Sequence, residues 1–92
     1  MAGAQIDVTR ESSETFNVTV RAKTTTTHVV TLKDEDYRKL SGGRVAPEKL
    51  IEKSFEFLLE RESNTSILSR FDLPVIGRYF PEYEKTIAKR LG

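Results

Sequence analysis

The chain has 92 residues, no cysteine, 15 basic and 14 acidic side chains, and a formal net charge of +1. This length allows one small domain with a thin core, and the absence of cysteine excludes disulfides and thiolate metal sites. The balanced charge gives no general attraction to nucleic acid or acidic membranes, so electrostatic binding would need a local concentration of charge.

The first 14 residues are mainly small and polar, and we expect a flexible terminus or a short edge strand through the alternating Ile6 and Val8. Residues 15–92 are expected to form a single small domain. Neither a secretory signal at residues 1–5 nor an apolar run of membrane-spanning length is visible. Together with the cysteine-free composition, these features predict a cytoplasmic protein.

Residues 15–23 form the clearest predicted strand, because apolar and polar side chains alternate strictly along them. A threonine run at 24–27 is expected to contain the turn and the start of a second strand. Alternation then resumes with His28, Val30 and Leu32 on the core face. The two strands are predicted to pair as an antiparallel hairpin with one face in solvent. The core face of the first strand should carry Phe16, Val18, Val20 and Ala22.

Two helices should follow the hairpin. Asp34 is a suitable N-cap for a short helix that ends at Gly42-Gly43, because glycine readily takes the left-handed conformation there. Pro47 then opens the main helix, which runs to about residue 62. Its apolar stripe covers roughly half of the circumference, more than a surface helix needs. The stripe predicts cover on two sides, by the sheet and by either the tail or a second subunit, and consists of Leu50, Ile51, Phe55, Phe57, Leu58 and Leu59.

The tail carries further helical patterns. Ile67 and Leu68 are expected to begin a short helical turn, a new helix should start at Asp72 and end before Pro81, and a last helix should span 82–91. The predicted fold is therefore α+β: an antiparallel hairpin of two or three strands, packed on one long helix with short flanking and C-terminal helices.

No catalytic arrangement is visible. His28 is the single histidine, and on the apolar face of a strand it is better explained as a buried, hydrogen-bonded residue than as a base or a ligand. No Glu-x-x-His or His-x-His spacing is present for a metal site. Gly42-Gly43-Arg44 lacks the Gly-Lys-Ser/Thr ending of a phosphate loop. We therefore predict no catalytic residue, no metal and no cofactor.

The polar face of the hairpin is a candidate nucleic-acid surface. A two-stranded ribbon fits the DNA major groove, and the start of the main helix would present free N–H groups to a phosphate. An ordinary solvent-exposed sheet face explains the same residues and is favoured, since the local charge is modest. The candidate DNA contacts are Arg21, Lys23, Thr27, Val29, Thr31, Lys33 and Arg44.

The tail is a candidate protein interface, because aromatic and arginine residues alternate between residues 70 and 83. Such residues could form a hot spot for a partner protein or stack bases. Closure of the small core over the main helix also explains these residues and is clearly favoured at helical spacing. The candidate interface residues are Phe57, Arg78, Tyr79 and Tyr83.

Residues 27–62 resemble the ribbon-helix-helix family of dimeric transcriptional repressors and antitoxins, through Val30-Thr31-Leu32, Asp34-Glu35-Asp36 and Ala46-Pro47-Glu48-Lys49-Leu50-Ile51. The resemblance implies a strand that pairs with its twin across a dimer and contacts bases through its outward residues, here Thr27, Val29 and Thr31. The segment between strand and second helix is about one helical turn shorter than in that family. The strand at 15–23 could instead pair with this strand within the chain.

The tail segment 67–84 resembles a segment shared by a small family of uncharacterised bacterial proteins, which implies no activity. The sequence therefore leaves two functions open. The favoured one is a non-catalytic module that binds another protein or a second copy of itself. The alternative is a dimeric DNA-binding regulator or antitoxin of the ribbon-helix-helix type.

Overall fold

The computed structural model describes residues 4–91 and has a four-stranded sheet with its helices on one side. Single 3₁₀ turns at Asn64–Ser66 and Leu73–Val75 flank the last strand. The predicted α+β class is confirmed. In chain order the elements are β1 (Gln5–Arg10), β2 (Thr15–Arg21), β3 (Thr25–Thr31), α1 (Asp34–Ser41), α2 (Pro47–Leu59), β4 (Arg70–Asp72), α3 (Ile76–Tyr79) and α4 (Tyr83–Leu91).

The sheet is mixed and has the strand order β1-β2-β3-β4. β2 and β3 form the predicted antiparallel hairpin, with Thr15 opposite Thr31 and Arg21 opposite Thr25. β1 pairs antiparallel with the other side of β2 and forms one edge of the sheet. β4 pairs in parallel with β3 and forms the opposite edge.

The predicted extent of the sheet was wrong, because the tail supplies a fourth strand. β4 has only three residues, too few for an alternating pattern to identify it in the sequence. Tertiary contacts hold it in place. Phe71 is buried opposite Val30 in the register, and the backbone N–H of Val29 donates to the Ser69 carbonyl over 2.8 Å.

Several element ends also differ from the predictions. β2 ends at Arg21, so Ala22 lies exposed in the turn and not on the core face. The N-cap of α1 is Lys33, while the predicted cap Asp34 contributes a carboxylate that lies 3.0 Å from Arg38. Gly42 ends α1 as predicted, with a φ of 66° in the left-handed region.

One apolar cluster lies between the sheet and the helices. Alternate residues of β2 and β3 face it, as the strand period requires. The side chains of α2 fill it from the other side, so most of the predicted stripe is buried. The fully buried members include Phe16, Val18, Val20, Val30, Leu50, Ile51, Phe55 and Phe57.

The tail of the same chain, and not a second subunit, covers the other side of α2. The ring of Phe57 contacts the rings of Tyr83 and Phe80 edge-on, with centroids 5.4 and 5.9 Å apart. Ser54 Oγ donates to the Leu50 carbonyl over 2.8 Å, and its lone pairs remain free for the Tyr83 hydroxyl, which donates to it over 2.6 Å. This side of α2 is therefore part of the core.

Tyr83 should make the protein less stable in alkali. Burial raises the pKa of its hydroxyl above the ordinary value of 10.0. The folded state holds this proton more tightly than the unfolded state does. The stabilisation that the protonated Tyr83 hydroxyl contributes is therefore complete below pH 10 and is lost as the pH rises above it. We expect the free energy of unfolding of the native protein to fall faster than that of Tyr83→Phe, by up to about 1.4 kcal/mol per pH unit.

Urea denaturation of both proteins between pH 8 and 11 measures this difference. At pH 8 the Tyr83→Phe protein should lose only about 1 kcal/mol, since one hydrogen bond is removed and Ser54 keeps its acceptor in the Leu50 carbonyl. All other ionisable groups are the same in both proteins, so their contributions cancel in the comparison. Parallel pH profiles would contradict the prediction.

Candidate functional site

The predicted DNA contacts are spread over the structure. Thr27, Val29 and Thr31 lie side by side on the outer face of β3, where they alternate with the buried residues. Lys23 lies in the turn before β3 and Lys33 follows its other end, so the strand separates them by roughly 20 Å. Arg44, further along the chain, lies between α1 and α2, and its Nε donates to the Ser41 carbonyl over 3.3 Å.

The charges on the outer sheet face also compensate each other. Arg21 on β2 forms an ion pair with Asp7 on the neighbouring β1. On β4, Arg70 is followed by Asp72 on the same face. Affinity for a phosphate backbone rises with the number of cations that contact it, and on this face the four strands carry two cations and two carboxylates.

The strand pairing implied by the ribbon-helix-helix resemblance is not the pairing that this chain adopts. In that family the strand has a free edge and pairs with its twin. Here β3 is an internal strand, hydrogen-bonded to β2 on one side and to the segment Ser69–Asp72 on the other. Over Val29–Thr31 neither edge is open to a second copy, because the preceding strand and the tail occupy both.

Two of the four predicted interface residues are buried, and their assignment to an interface was wrong. Phe57 and Tyr83 are both 0% exposed. The guanidinium of Arg61 lies 3.6 Å above the ring of Phe57 and closes it off from solvent. The stripe on α2 could not reveal this, because the covering groups come from the end of the helix and from the tail.

Ion pairs stabilise the packing of Arg61 and the tail over Phe57. Arg90 on α4 lies 2.6 Å from Glu60, and Arg61 lies 3.2 Å from Glu82. The hydrogen bond from Arg90 holds the pKa of Glu60 below its usual range. A backbone hydrogen bond, aided by Arg61, lowers the pKa of Glu82. These charges are occupied within the chain, so we assign them a structural role.

The other two predicted interface residues, Arg78 and Tyr79, are exposed beside an apolar groove. In residues 4–91 two large hydrophobic side chains are exposed, Tyr79 at 67% and Leu68 at 48%, and both line this groove. It has a volume of about 240 Å³ and lies between the end of α2 and the tail. Its apolar lining consists of Leu58, Ile67, Leu68, Phe71, Val75, Ile76, Tyr79 and Phe80.

The sequence did not identify Leu68 as part of this site. The helical turn predicted at Ile67 and Leu68 instead covers Asn64–Ser66, and the chain after it is extended. Ile67 therefore points into the core while Leu68 is exposed at the groove. An isolated exposed leucine is common in proteins, and only its position next to Tyr79 makes it informative.

A buried hydrogen-bond network holds the backbone at Leu68. His28 Nδ1 lies 2.7 Å from the Leu68 carbonyl, which can only accept, so Nδ1 carries the proton. The Nε2 atom then accepts from the Thr26 hydroxyl over 2.8 Å. Asn64 Nδ2 donates to Thr26 Oγ and to the Thr24 carbonyl over 2.9 and 2.8 Å. Thus β3 fixes one wall of the groove.

The groove contains one charged side chain, Glu62, which is partly buried. In the described part of the chain no basic group lies within 4.0 Å of its carboxylate. Two acidic residues on α2 are paired, Glu52 with Lys49 and Glu56 with Lys53. Glu62 is therefore a carboxylate in an apolar setting without an intramolecular cation.

His28 is 2% exposed and both of its ring nitrogens are hydrogen-bonded, so it belongs to the scaffold of the groove. Within residues 4–91, no group of three or more His, Cys, Asp or Glu side chains is placed to hold a metal ion. Over the same residues, no helix has both the length and the apolar character to cross a membrane.

Comparison of the chain with protein-family models, curated proteins and solved structures finds no match.

Proposed function

We propose that the protein is a non-catalytic interaction module whose groove takes a large apolar side chain from another polypeptide. The observation that carries the proposal is that both exposed large hydrophobic side chains of residues 4–91, Leu68 and Tyr79, line the same hollow. Apolar side chains at a concave surface, with a few polar groups among them, are typical of binding sites.

The size of the groove favours a side chain over a cofactor. Its volume of about 240 Å³ lies below the range of roughly 300–1,000 Å³ that is typical of small-molecule sites. A single leucine, phenylalanine or tyrosine side chain matches such a hollow. The hydrogen-bond network of His28, Thr26 and Asn64 fixes the wall of the groove at Leu68. The site should therefore lose little conformational freedom on binding.

The DNA-binding alternative has less support. The outer sheet face is polar and open, but its charges compensate, and the strand that would pair with its twin is internal. The cytoplasmic location expected from the cysteine-free sequence stays a prediction.

A titration with a side-chain analogue tests the proposal. We expect N-acetylphenylalanine amide, added to ¹⁵N-labelled protein at low micromolar concentration, to shift the amide resonances of residues around the groove, such as Ile67, Leu68 and Tyr79. It should bind at least ~10-fold more tightly than N-acetylglycine amide, because burying an aromatic side chain stabilises by roughly 1.5–3 kcal/mol.

Tyr79→Asp is the matched variant for this titration, since it puts a charge at the rim and replaces a side chain that is 67% exposed. It should abolish the preference for the phenylalanine probe and change the free energy of unfolding by no more than about 0.5 kcal/mol. Equal shifts with both probes, or shifts confined to the outer sheet face, would refute a binding groove.

A further inference from the structure

The groove and its rim together form a patch that is complementary to itself. Tyr79 is a large hydrophobic side chain, 67% exposed, and it lines one side of the groove of about 240 Å³. A two-fold symmetric interface requires that one patch supply both the inserted group and its receptor. When two such patches face each other, each tyrosine meets the groove of the other protomer.

The charges of the patch are complementary in the same way. Glu62 lines the groove without a cation of its own, and exposed Arg78, the residue before Tyr79, has no carboxylate within 4.0 Å in residues 4–91. A carboxylate in an apolar hollow is stabilised by a hydrogen-bonded guanidinium. An incoming Arg78-Tyr79 segment carries the apolar group and the cation in adjacent positions.

We propose that the occupant of the groove is a second copy of this chain. Two protomers associate about a two-fold axis, Tyr79 of each enters the groove of the other, and Arg78 of each pairs with Glu62 of the other. The inference rests on the proposed function of the groove and specifies its partner. A domain of 92 residues buries a modest share of its surface alone, so this association also adds apolar burial.

Light scattering over a concentration series tests the association. The native protein should approach twice the monomer mass of 10.5 kDa as the concentration rises into the high micromolar range. Arg78→Glu and Glu62→Arg each place like charges together at both symmetric contacts, and each should raise the dissociation constant of the dimer at least ~10-fold. The protein with both substitutions restores opposite charges and should return to within ~3-fold of the native value.

Arg70→Glu is the matched control for the single charge reversals. Arg70 is exposed and has no carboxylate within 4.0 Å in the described part of the chain, but it lies on the outer face of β4, away from the groove. Its reversal should leave the dissociation constant unchanged. Thermal melts followed by circular dichroism check that all four variants remain folded.

A native protein that stays monomeric up to about 1 mM overturns the inference, as does a doubly substituted protein that fails to recover. The proposed function is tested separately with the Arg78→Glu protein, which keeps the groove. If this protein binds N-acetylphenylalanine amide while the native chain is monomeric, the groove is real and only its occupant was wrong. If the folded Arg78→Glu protein does not bind the probe, the groove itself fails, together with both proposals.

Discussion

Replacing Phe57 by alanine should lower the free energy of unfolding by about 3–5 kcal/mol, the cost of removing a large buried aromatic side chain. The ring is completely buried and contacts Tyr83, Phe80 and the guanidinium of Arg61. Its loss leaves a cavity between α2 and the tail, and it removes the surface on which Arg61 stacks. Small domains have total stabilities of about 5–15 kcal/mol, so this single substitution should remove a large share of the total.

Urea denaturation followed by circular dichroism measures this effect. Tyr79→Ala is the control, because it removes an aromatic ring of the same tail that is 67% exposed, and it should cost no more than about 0.5 kcal/mol. The two variants should therefore separate cleanly: Phe57→Ala acts on stability, and Tyr79→Ala on binding at the groove. If the Phe57→Ala protein had native stability and differed only in its association, Phe57 would be an interface residue and not a core residue.

Replacing His28 by alanine should cost about 3 kcal/mol or more, since it combines loss of a buried ring with loss of two hydrogen bonds. The ring lies 5.4 Å from that of Phe55, centroid to centroid. Without it, the Leu68 carbonyl loses its donor and the Thr26 hydroxyl loses the acceptor of its proton. Thr27→Ala, on the exposed face of the same strand, provides the control and should be nearly neutral.

His28→Phe separates the hydrogen-bond contribution of His28 to the free energy of unfolding from its packing contribution. It keeps an aromatic ring and should cost about 1–3 kcal/mol, the penalty for a buried acceptor without a donor. Hydrogen exchange should accelerate at the N–H groups of Val29 and Ile67, whose acceptors, Ser69 and Asn64, lie in the segment that the histidine holds. Unchanged exchange at both amides would show that His28 does not fix the wall of the groove.

Local patterns predicted the parts of the fold that depend on neighbours in sequence. The alternation of residues 15–23 and 28–32 predicted the hairpin, and Pro47 and Gly42 predicted helix boundaries. The width of the apolar stripe on α2 predicted that two sides of the helix are buried, but it could not show what buries the second side. Whether the tail or another subunit buries it depends on contacts between residues far apart in sequence, such as Ser54 with Tyr83, 29 positions later.

The groove was predictable only in part, for the same reason. Tyr79 stood out as an aromatic residue beside an arginine, and it is exposed as an interface residue must be. Leu68 carried no pattern of its own, since its exposure follows from a hydrogen bond to His28, 40 residues earlier. Tyr83 has the same chemistry as Tyr79 but is buried, because α4 turns that side of the helix toward Ser54.

The parallel pairing of β4 with β3 affects how the chain is synthesised. β3 is rich in threonine and valine, a composition that pairs readily with other strands, and one of its edges stays open until Arg70–Asp72 has been made. At about 5–20 residues per second, the ribosome needs on the order of 2–8 s to extend the chain from Thr31 to Asp72. During those seconds β3 is the site at which neighbouring nascent chains can aggregate. The three-residue strand that closes this edge therefore protects the chain once residues 70–72 have been made, and a truncation before residue 70 leaves the edge open.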